Sequence, residues 1–425
     1  MNKVLLEEKE ALYKRTSAAL YHIHKGYAVH KIIDVHLRRF IYHDIIDEKD
    51  DVFKNFFRAH SFRKFPKVKS KVLVTLHEYM TRKDYQEIFT YVTEQIEEQQ
   101  SFSLNKLKRR WIINIENVRT GLRLGKKLDF LPKRVQMQTA ALITQMLNTI
   151  DSAEKQIRAN DVQKYVCFCS VSWMENMITQ YFNIRNIPTY DLQHGVTRIY
   201  HKNTPDNVEY SNIVSTVHFT WGNYSRDEFL KYGFTENSVI SGGYPRKHEL
   251  FPLRKPAGKQ VLVFLSRPDF EPENYEVLRI LAEFNQAQGN AFRFAFKLHP
   301  SLHAEQYQDA FTTTYKEAGF TLLNSQLSLH ELFREQEADF CIVVNTSCYY
   351  ECYMLGVPAL RYYSERFDLE HAVTNDLFDN VPDLDKQVQN LYHHFEAQFH
   401  QDNINKELDY VLGLDKNEYA RVLNG

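Results

Sequence analysis

The segment Ala338–Pro358, ADFCIVVNTSCYYECYMLGVP, constrains the fold of this chain more than any other. Phe340–Val344 is a short apolar run rich in Cys, Ile and Val, which predicts a strand buried on both faces, as in a parallel sheet. Asn345-Thr346-Ser347 follows at once, a capping triplet that predicts a helix from there on. A strand feeding a helix aims the helix's first free N–H groups at the strand's carboxyl end. There about half a positive charge from the helix dipole favours a phosphate. Thr346 and Ser347 add hydroxyl donors. Glu351, one turn past Ser347, is expected on the same face, placed to accept from a ribose hydroxyl. Gly356-x-Pro358 ends the helix.

A second stretch, FRFAFKLHPS at Phe292–Ser301, repeats the pattern. Its strand is stopped by His299-Pro300, which presents Lys297 and His299 at a carboxyl end, where open α/β sheets bind ligands. Either segment alone would suit any α/β protein. Two in one sheet, with Lys297, His299, Thr346 and Ser347 all at strand ends, point to an anionic ligand.

The remaining sequence reads as a βα series in two halves. Residues 1–66 predict charged, aromatic-rich helices, including Leu5, Leu12, Ala19 and Leu20 at helical spacing and a polar run from His43 to Asp51. Lys71–Leu76 predicts the first strand, followed by a helix from Arg82 to Gln99; strands at 165–170 and 187–192 flank a helix at 173–186. The last of these strands delivers Gln193-His194-Gly195, the glycine expected at positive φ and His194 displayed at the strand end. Asp191, two residues earlier, shares a side with Gln193 on a regular strand; it is a reserve proton acceptor or an orienter of the histidine. Strands at 218–222 and 238–241 lead to Gly242-Gly243-Tyr244-Pro245-Arg246. A Pro-Gly-Lys-rich interval at 254–259 marks a boundary. Gln260–Leu265 then ends in Ser266-Arg267-Pro268 and opens a regular strand-helix alternation to residue 362, which predicts a doubly wound parallel sheet. The expected organisation is an N-terminal helical region at 1–66, a first Rossmann-like domain at 67–253, a second at 254–400, and a C-terminal helix at 401–425 that crosses back.

Charge and cysteine content narrow the functional classes. Lys plus Arg and Asp plus Glu nearly balance, for a net charge of −1, so bulk electrostatics gives no reason to expect nucleic acid. Basic side chains are concentrated locally. Phe53–Lys71 interleaves aromatics with Lys54, Arg58, Arg63, Lys64, Lys67, Lys69 and Lys71, read as a solvated helix face and linker or as an anion-binding surface. Lys106–Arg134 surrounds Trp111, Ile112 and Ile113, and suits either a membrane headgroup region or an ordinary helix with a charged outer face. The 5 cysteines show no CxxC pair, which predicts reduced structural thiols and no structural zinc. MNKVLLEEKE lacks a signal-peptide core and no segment has the length to span a bilayer, so the expectation is a cytoplasmic protein, with a peripheral seat on the inner membrane face left open.

Gln193-His194-Gly195, Gly243-Tyr244-Pro245-Arg246, Lys297-Leu298-His299-Pro300 and Ser347-x3-Glu351-x4-Gly356-x-Pro358 resemble the signatures of bacterial surface-polysaccharide transferases. These families include capsular polysialyltransferases, Kdo transferases and the CDP-glycerol glycerophosphotransferases of teichoic acid synthesis. The resemblance covers about residues 160 to 365 and implies the GT-B fold, two facing Rossmann-like domains. It further implies that His299, Thr346 and Ser347 hold the donor's phosphate and that His194 is the base. Lys297, Pro300, Ser266, Arg267, Arg246 and Glu351 complete the candidate donor-binding set. No DxD-type motif stands in a suitable place, so neither metal nor cofactor is expected. The implied reaction is inverting transfer of a sugar from a nucleotide-activated donor, CMP- or CDP-linked favoured and UDP admitted, to a capsule, lipopolysaccharide or teichoic-type glycan. Alternatives are a polyol-phosphate transferase of the CDP-glycerol type, a nucleotide-sugar 2-epimerase, or a noncatalytic scaffold on the same fold.

Overall fold

A computed structural model of the chain describes residues 3–43, 52–67, 70–76, 83–158, 161–197, 207–323, 327, 329–335, 337–367 and 376–425. The polar run at 44–51, Lys69, Arg82 and the side chain of Leu5 lie outside the described residues.

Six parallel strands form the first sheet: Val72–Leu76 (β1), Gln99–Ser103 (β2), Lys164–Cys167 (β3), Thr189–Leu192 (β4), Val217–Thr220 (β5) and Val239–Ser241 (β6), in the order β6-β5-β4-β3-β1-β2. Side chains alternate between faces along each strand, so a doubly covered sheet needs apolar residues at every position. Val72, Val74 and Val166 join the core on one face; Leu73, Tyr165 and Cys167 join the core on the other. The first face is covered by the helix Lys83–Thr93 and by the C-terminal helices Gln401–Leu412 and Tyr419–Asn424. The second is covered by Lys133–Gln156, by Trp173–Asn183 and by Leu20, Tyr27, Ile32, Ile33, Leu37, Phe62 and Phe65. Much of residues 1–66 thus shares a core with the first sheet, while Tyr13, Ile41 and Tyr42 form a small cluster of their own.

The second sheet contains Gln260–Phe264 (β7), Arg293–Lys297 (β8), Thr321–Leu322 (β9), Phe340–Val343 (β10), Ala359–Tyr362 (β11) and Leu377–Phe378 (β12), all parallel, in the order β9-β8-β7-β10-β11-β12. In a doubly wound sheet of this order the chain reverses direction between the first and fourth strands, here β7 and β10, and opens a crevice at their carboxyl ends. Two Rossmann-like sheets joined by one linker are the GT-B architecture.

The chain's end returns to the first domain. Tyr419 packs on Phe219 with ring centres 5.0 Å apart and donates its hydroxyl to the Gly243 carbonyl at 2.8 Å. Gly243 sits at φ +104, and a Cβ there would stand 2.1 Å from the Lys416 carbonyl oxygen, so this close crossing requires glycine.

Three expectations change. The helix expected to reach Gln99 ends at Thr93, and QQSFS forms edge strand β2, paired parallel with β1, with Phe102 its one buried side chain. The stretch Lys106–Arg134 is not one amphipathic element. Lys108–Trp111 is a strand paired antiparallel with Arg58–Ser61, and the Asn114 side chain then caps a helix over Ile115–Lys126 by accepting from Glu116 and Asn117 N–H at 3.1 and 3.3 Å. Gly195 has no positive φ and has open space around its Cβ position, so its turn does not depend on glycine.

Candidate functional site

The crevice of the second domain is built by register. Lys297 at the end of β8 pairs with Phe264 of β7, which pairs with Val343 of β10, so the three strands finish level. The residues that follow share one edge: Lys297-Leu298-His299-Pro300, Ser266-Arg267 and Asn345-Thr346-Ser347. Asn274 fixes the β7 turn, accepting from Ser266 N–H and donating to the Ser266 carbonyl, each at 2.9 Å. The Ser266 hydroxyl donates to the Asn345 carbonyl at 3.4 Å and ties the two turns together across the reversal point. Ser266 is buried, so its role in this structure is to hold the edge.

His299 accepts the Ser301 N–H at Nδ1, at 3.2 Å. An acceptor Nδ1 places the ring proton on Nε2 in the neutral imidazole, which makes Nε2 a donor. Lys297 donates to the Leu327 carbonyl at 2.8 Å, and its charge reaches the Cys348 thiol, at the start of the next helix. The Arg267 Nε lies 2.9 Å from the Asp269 carboxylate. The helix expected from Ser347 is Cys348–Met354, a short one; Asn345 takes φ +42, and Thr346 Oγ1 accepts the Cys348 N–H at 3.4 Å, while Ser347 makes no side-chain cap. Thr346, Ser347, Lys297 and His299 are all half-buried and Pro300 is exposed at this edge.

On the first domain, Gln193 is the brace for the turn after β4. Its Nε2 donates to the Gly195 carbonyl at 2.5 Å and to Ser225 Oγ at 2.9 Å. Its Oε1 accepts from Trp221 N–H at 2.7 Å, and its own carbonyl accepts from the Trp221 indole at 2.9 Å. With Gln193 turned inward, His194 is exposed on the opposite side, its ring packed on Phe168 and Tyr85 with centres 5.3 and 5.4 Å away. The strand under Phe168 is held by Glu175, whose carboxyl accepts the N–H groups of Phe168 and Cys169 at 3.2 and 3.1 Å. Burial pushes the Glu175 carboxyl up to about 8, against the pull of those two N–H groups and helped by the nearby Asp191 charge.

Asp191 does not reach His194. It points inward with Gln193, accepting from Ser170 Oγ at 2.7 Å, Ser215 Oγ at 2.9 Å and His218 Nδ1 at 2.5 Å. Burial alone would raise its pKa, but the His218 charge and these hydrogen bonds hold it below the usual carboxylate range. Its three partners give it a structural role, and neither function proposed from sequence, reserve base or orienter of His194, fits that position.

Arg246 and Glu351 are also engaged, with each other. Arg246 Nη1 donates to Glu351 Oε1 at 2.8 Å, Tyr244 donates its hydroxyl to the same oxygen at 2.5 Å, and Arg246 Nη2 reaches the Asp84 carbonyl at 3.4 Å. Glu351 is buried. This cluster, with a Lys83–Glu331 ion pair, joins the helix Lys83–Thr93 to the second domain. Glu351, which sequence placed on a ribose, is here paired with Arg246 and Tyr244. The linker runs close by: Phe251 N–H donates to the Met354 carbonyl at 3.0 Å, and Gly356, at φ +76, would carry a Cβ only 2.6 Å from the Pro252 carbonyl oxygen.

One carboxylate escaped the sequence reading. Glu209 is bonded to Arg38, and the charges of Arg267 from the second domain and His194 from the first both reach it. Among the described residues no group of three or more His, Cys, Asp or Glu side chains is placed to hold a metal ion.

The two parallel six-stranded sheets define a two-domain protein of the GT-B fold. No protein-family model and no curated protein matches the sequence. Among solved structures, a putative UDP-N-acetylglucosamine 2-epimerase from Listeria monocytogenes is similar over 83% of this chain and 94% of its own, at 11% identity and a TM-score of 0.49. The lipopolysaccharide outer core galactosyltransferase WaaB matches over 82% and 96% at 10% identity and 0.47. The wall teichoic acid polymerase TagF matches over 93% and 94% at 13% identity and 0.44. Likenesses this low decide neither substrate nor reaction.

Proposed function

We propose that this protein is an inverting, metal-independent glycosyltransferase that moves a sugar from a nucleotide-activated donor to a cell-surface glycan acceptor. A CMP- or CDP-linked donor is favoured, with UDP admitted. The observation that supports the reading is the level edge of β8, β7 and β10, after which the chain delivers Lys297 and His299, Arg267, and Thr346 and Ser347, together with an exposed His194 after β4 of the other domain.

In this reading neutral His194 accepts the proton of the acceptor hydroxyl as that oxygen attacks the anomeric carbon. The bond from that carbon to the nucleotide phosphate oxygen breaks, and the electron pair leaves with the phosphate. Negative charge develops on that oxygen, where preorganised donors and cations act most strongly. Attack opposite the leaving group inverts the anomeric centre. If the attacked atom is the donor's phosphorus, the same groups perform polyol-phosphate transfer, and product analysis separates the two.

Calorimetry with CMP, CDP, UDP and GDP identifies the nucleotide. Release of nucleotide that requires a glycan acceptor supports transfer; release of free UDP without acceptor would replace it with the epimerase reading. His299→Ala is expected to weaken nucleotide binding about 10-fold or more, the scale of one charge-assisted hydrogen bond of roughly 1.5–3 kcal/mol, while leaving His194 chemistry intact. Unchanged nucleotide affinity in that variant would remove His299 from the donor site.

The acceptor side carries a surface suited to an anionic bilayer. Phe53, Trp111, Ile113 and Ile115 are 71%, 63%, 76% and 61% exposed. They cluster through the Phe53–Phe57 ring contact at 5.2 Å, the Ile112 N–H to Phe57 carbonyl bond at 2.8 Å and Arg58 stacked 5.5 Å over Trp111. Between 106 and 134 the chain has 10 Lys and Arg against 2 Asp and Glu. Apolar tips within a basic field match a headgroup region. The protein is expected to sediment with phosphatidylglycerol vesicles and not with phosphatidylcholine ones, and Trp111→Ala with Ile113→Ala is expected to abolish most of that binding. Equal partition to both vesicles would refute the electrostatic part.

A further inference from the structure

The linker between the two domains is docked along its length. Phe251 N–H donates to the Met354 carbonyl at 3.0 Å and Arg254 N–H to the Gly356 carbonyl at 2.9 Å, both at the carboxyl-terminal end of the helix Cys348–Met354. Between them, Leu253 N–H donates to Gln401 Oε1 at 2.8 Å. These bonds fix the backbone but leave apolar side chains in water, with Leu250 46% and Phe251 45% exposed. Apolar surface on an ordered segment with polar neighbours is the usual mark of a binding site.

A cavity of about 670 Å³ opens beside this segment. That volume lies within the range of small-molecule sites. Phe251 and Pro252 of the linker, Phe333 of the helix Leu329–Glu335, and Leu355 supply its apolar lining, and Phe333 and Leu355 are half-buried. Lys247, Arg254 and Arg334 also line it; all three are exposed, and none forms an ion pair among the described residues. Glu249 is the one carboxylate of the lining, so with His248 neutral the described lining carries a net charge of +2. The cavity is distinct from the crevice after β7 and β10. Thr346 and Ser347 precede the helix Cys348–Met354 and Leu355 follows it, and 7 helical residues put about 10 Å between the two ends.

We propose that the linker cavity binds a small anionic amphiphile, a phosphate monoester on an aliphatic chain. The chain lies against Phe251, Phe333 and Leu355, and the phosphate among Lys247, Arg254 and Arg334. Charge and lining together restrict the occupant. Inorganic phosphate would leave the apolar surface wet, and a neutral hydrocarbon would leave three cations without a partner. A phosphate monoester carries about −1.5 to −2 at neutral pH, which matches the lining. Two guanidinium forks and an ammonium are suited to its oxygens. The occupant would join the linker to the helix Leu329–Glu335.

Decyl phosphate, kept monomeric, tests this by calorimetry on the full chain. It is expected to bind at least about 10-fold more tightly than decanol, the scale of one charge-assisted hydrogen bond. Octyl phosphate is expected to bind about 4- to 15-fold more weakly than decyl phosphate, because each buried methylene is worth up to about 4-fold. Arg254→Ala with Arg334→Ala is expected to abolish the preference over decanol, and Phe251→Ser to weaken both ligands about 5-fold. These side chains are exposed, and a thermal melt checks the fold. Trp111→Ala with Ile113→Ala, on the other domain, is expected to leave binding unchanged, as is a saturating nucleoside diphosphate. No binding of decyl phosphate overturns the proposal, as does equal affinity for decanol or undiminished affinity in the double arginine variant. Loss of binding in the Trp111 and Ile113 variant, or displacement of the probe by CDP or UDP, would place the ligand elsewhere and overturns it too. Failure of the transferase reading would leave each of these outcomes as it stands, because none requires turnover.

Discussion

Replacing His194 by Ala is expected to lower transfer turnover by about 10²- to 10⁴-fold while nucleotide affinity stays within about 2-fold, because general-base assistance is worth that much and the donor is held on the other domain. In barrier terms this is roughly 3–5 kcal/mol. The expectation is specific because the neighbours of His194 make the substitution mild for the fold. The ring is exposed, edge-on to Tyr85 and tilted by 30° against Phe168. The turn itself is braced by Gln193 through Trp221, Ser225 and Gly195. Single-turnover rates with saturating donor, set beside calorimetric nucleotide binding, measure the split. A variant that keeps near wild-type turnover would sink the base assignment, and a variant that loses nucleotide affinity as well would move His194 to the donor side.

The strands whose carboxyl ends carry the candidate residues can be read from the chain because each has an aliphatic or aromatic centre of strand length ended by a polar or turn residue. FCIV and TYDL are buried throughout and RFAFK at its three central residues, and whatever follows such a strand is delivered to one edge of the sheet. The placement of Ser266, Arg267, Lys297, His299, Thr346 and Ser347 follows from topology alone. Two-residue alternation also puts Asp191 with Gln193 and apart from His194, as the buried pair shows. Partners far apart in the chain cannot be read in this way. Arg246 and Glu351 stand 105 residues apart and cancel across the hinge, and Arg38 and Glu209 stand 171 apart with no local pattern to join them. Strand β2 was invisible for a different reason. An edge strand is held by backbone hydrogen bonds, and QQSFS has no side-chain signal of them.

Below pH 4.5 the protein is expected to have the full contribution of one buried carboxyl to its stability, and to lose it as the pH rises toward 8. Glu175 is fully buried, and its pKa stands at about 8 against an ordinary 4.5. Burial is the main cause, with the Asp191 charge adding to it and the two accepted N–H groups opposing it. Between those values the unfolded chain releases a proton that the folded one keeps, so stability falls by about 1.4 kcal/mol per pH unit and by roughly 5 kcal/mol in all. Asp191 has the opposite sign in a different window: its lowered pKa supports the fold above the ordinary aspartate value and that support is lost on acidification. The two carboxyls therefore bracket a stability maximum on the acid side of neutral. Glu175→Gln leaves one N–H of Phe168 or Cys169 without its acceptor, at a cost of about 1–3 kcal/mol, and removes the titration. Urea unfolding from pH 5 to pH 8 should show a steep decline for the wild type and a nearly flat line for the variant, with the curves converging or crossing near the top of the range. Parallel slopes would mean that Glu175 is already ionised in the folded protein. In that case the N–H groups of Phe168 and Cys169 would be holding an anion, and the wall on which His194 rests would owe its shape to a charge.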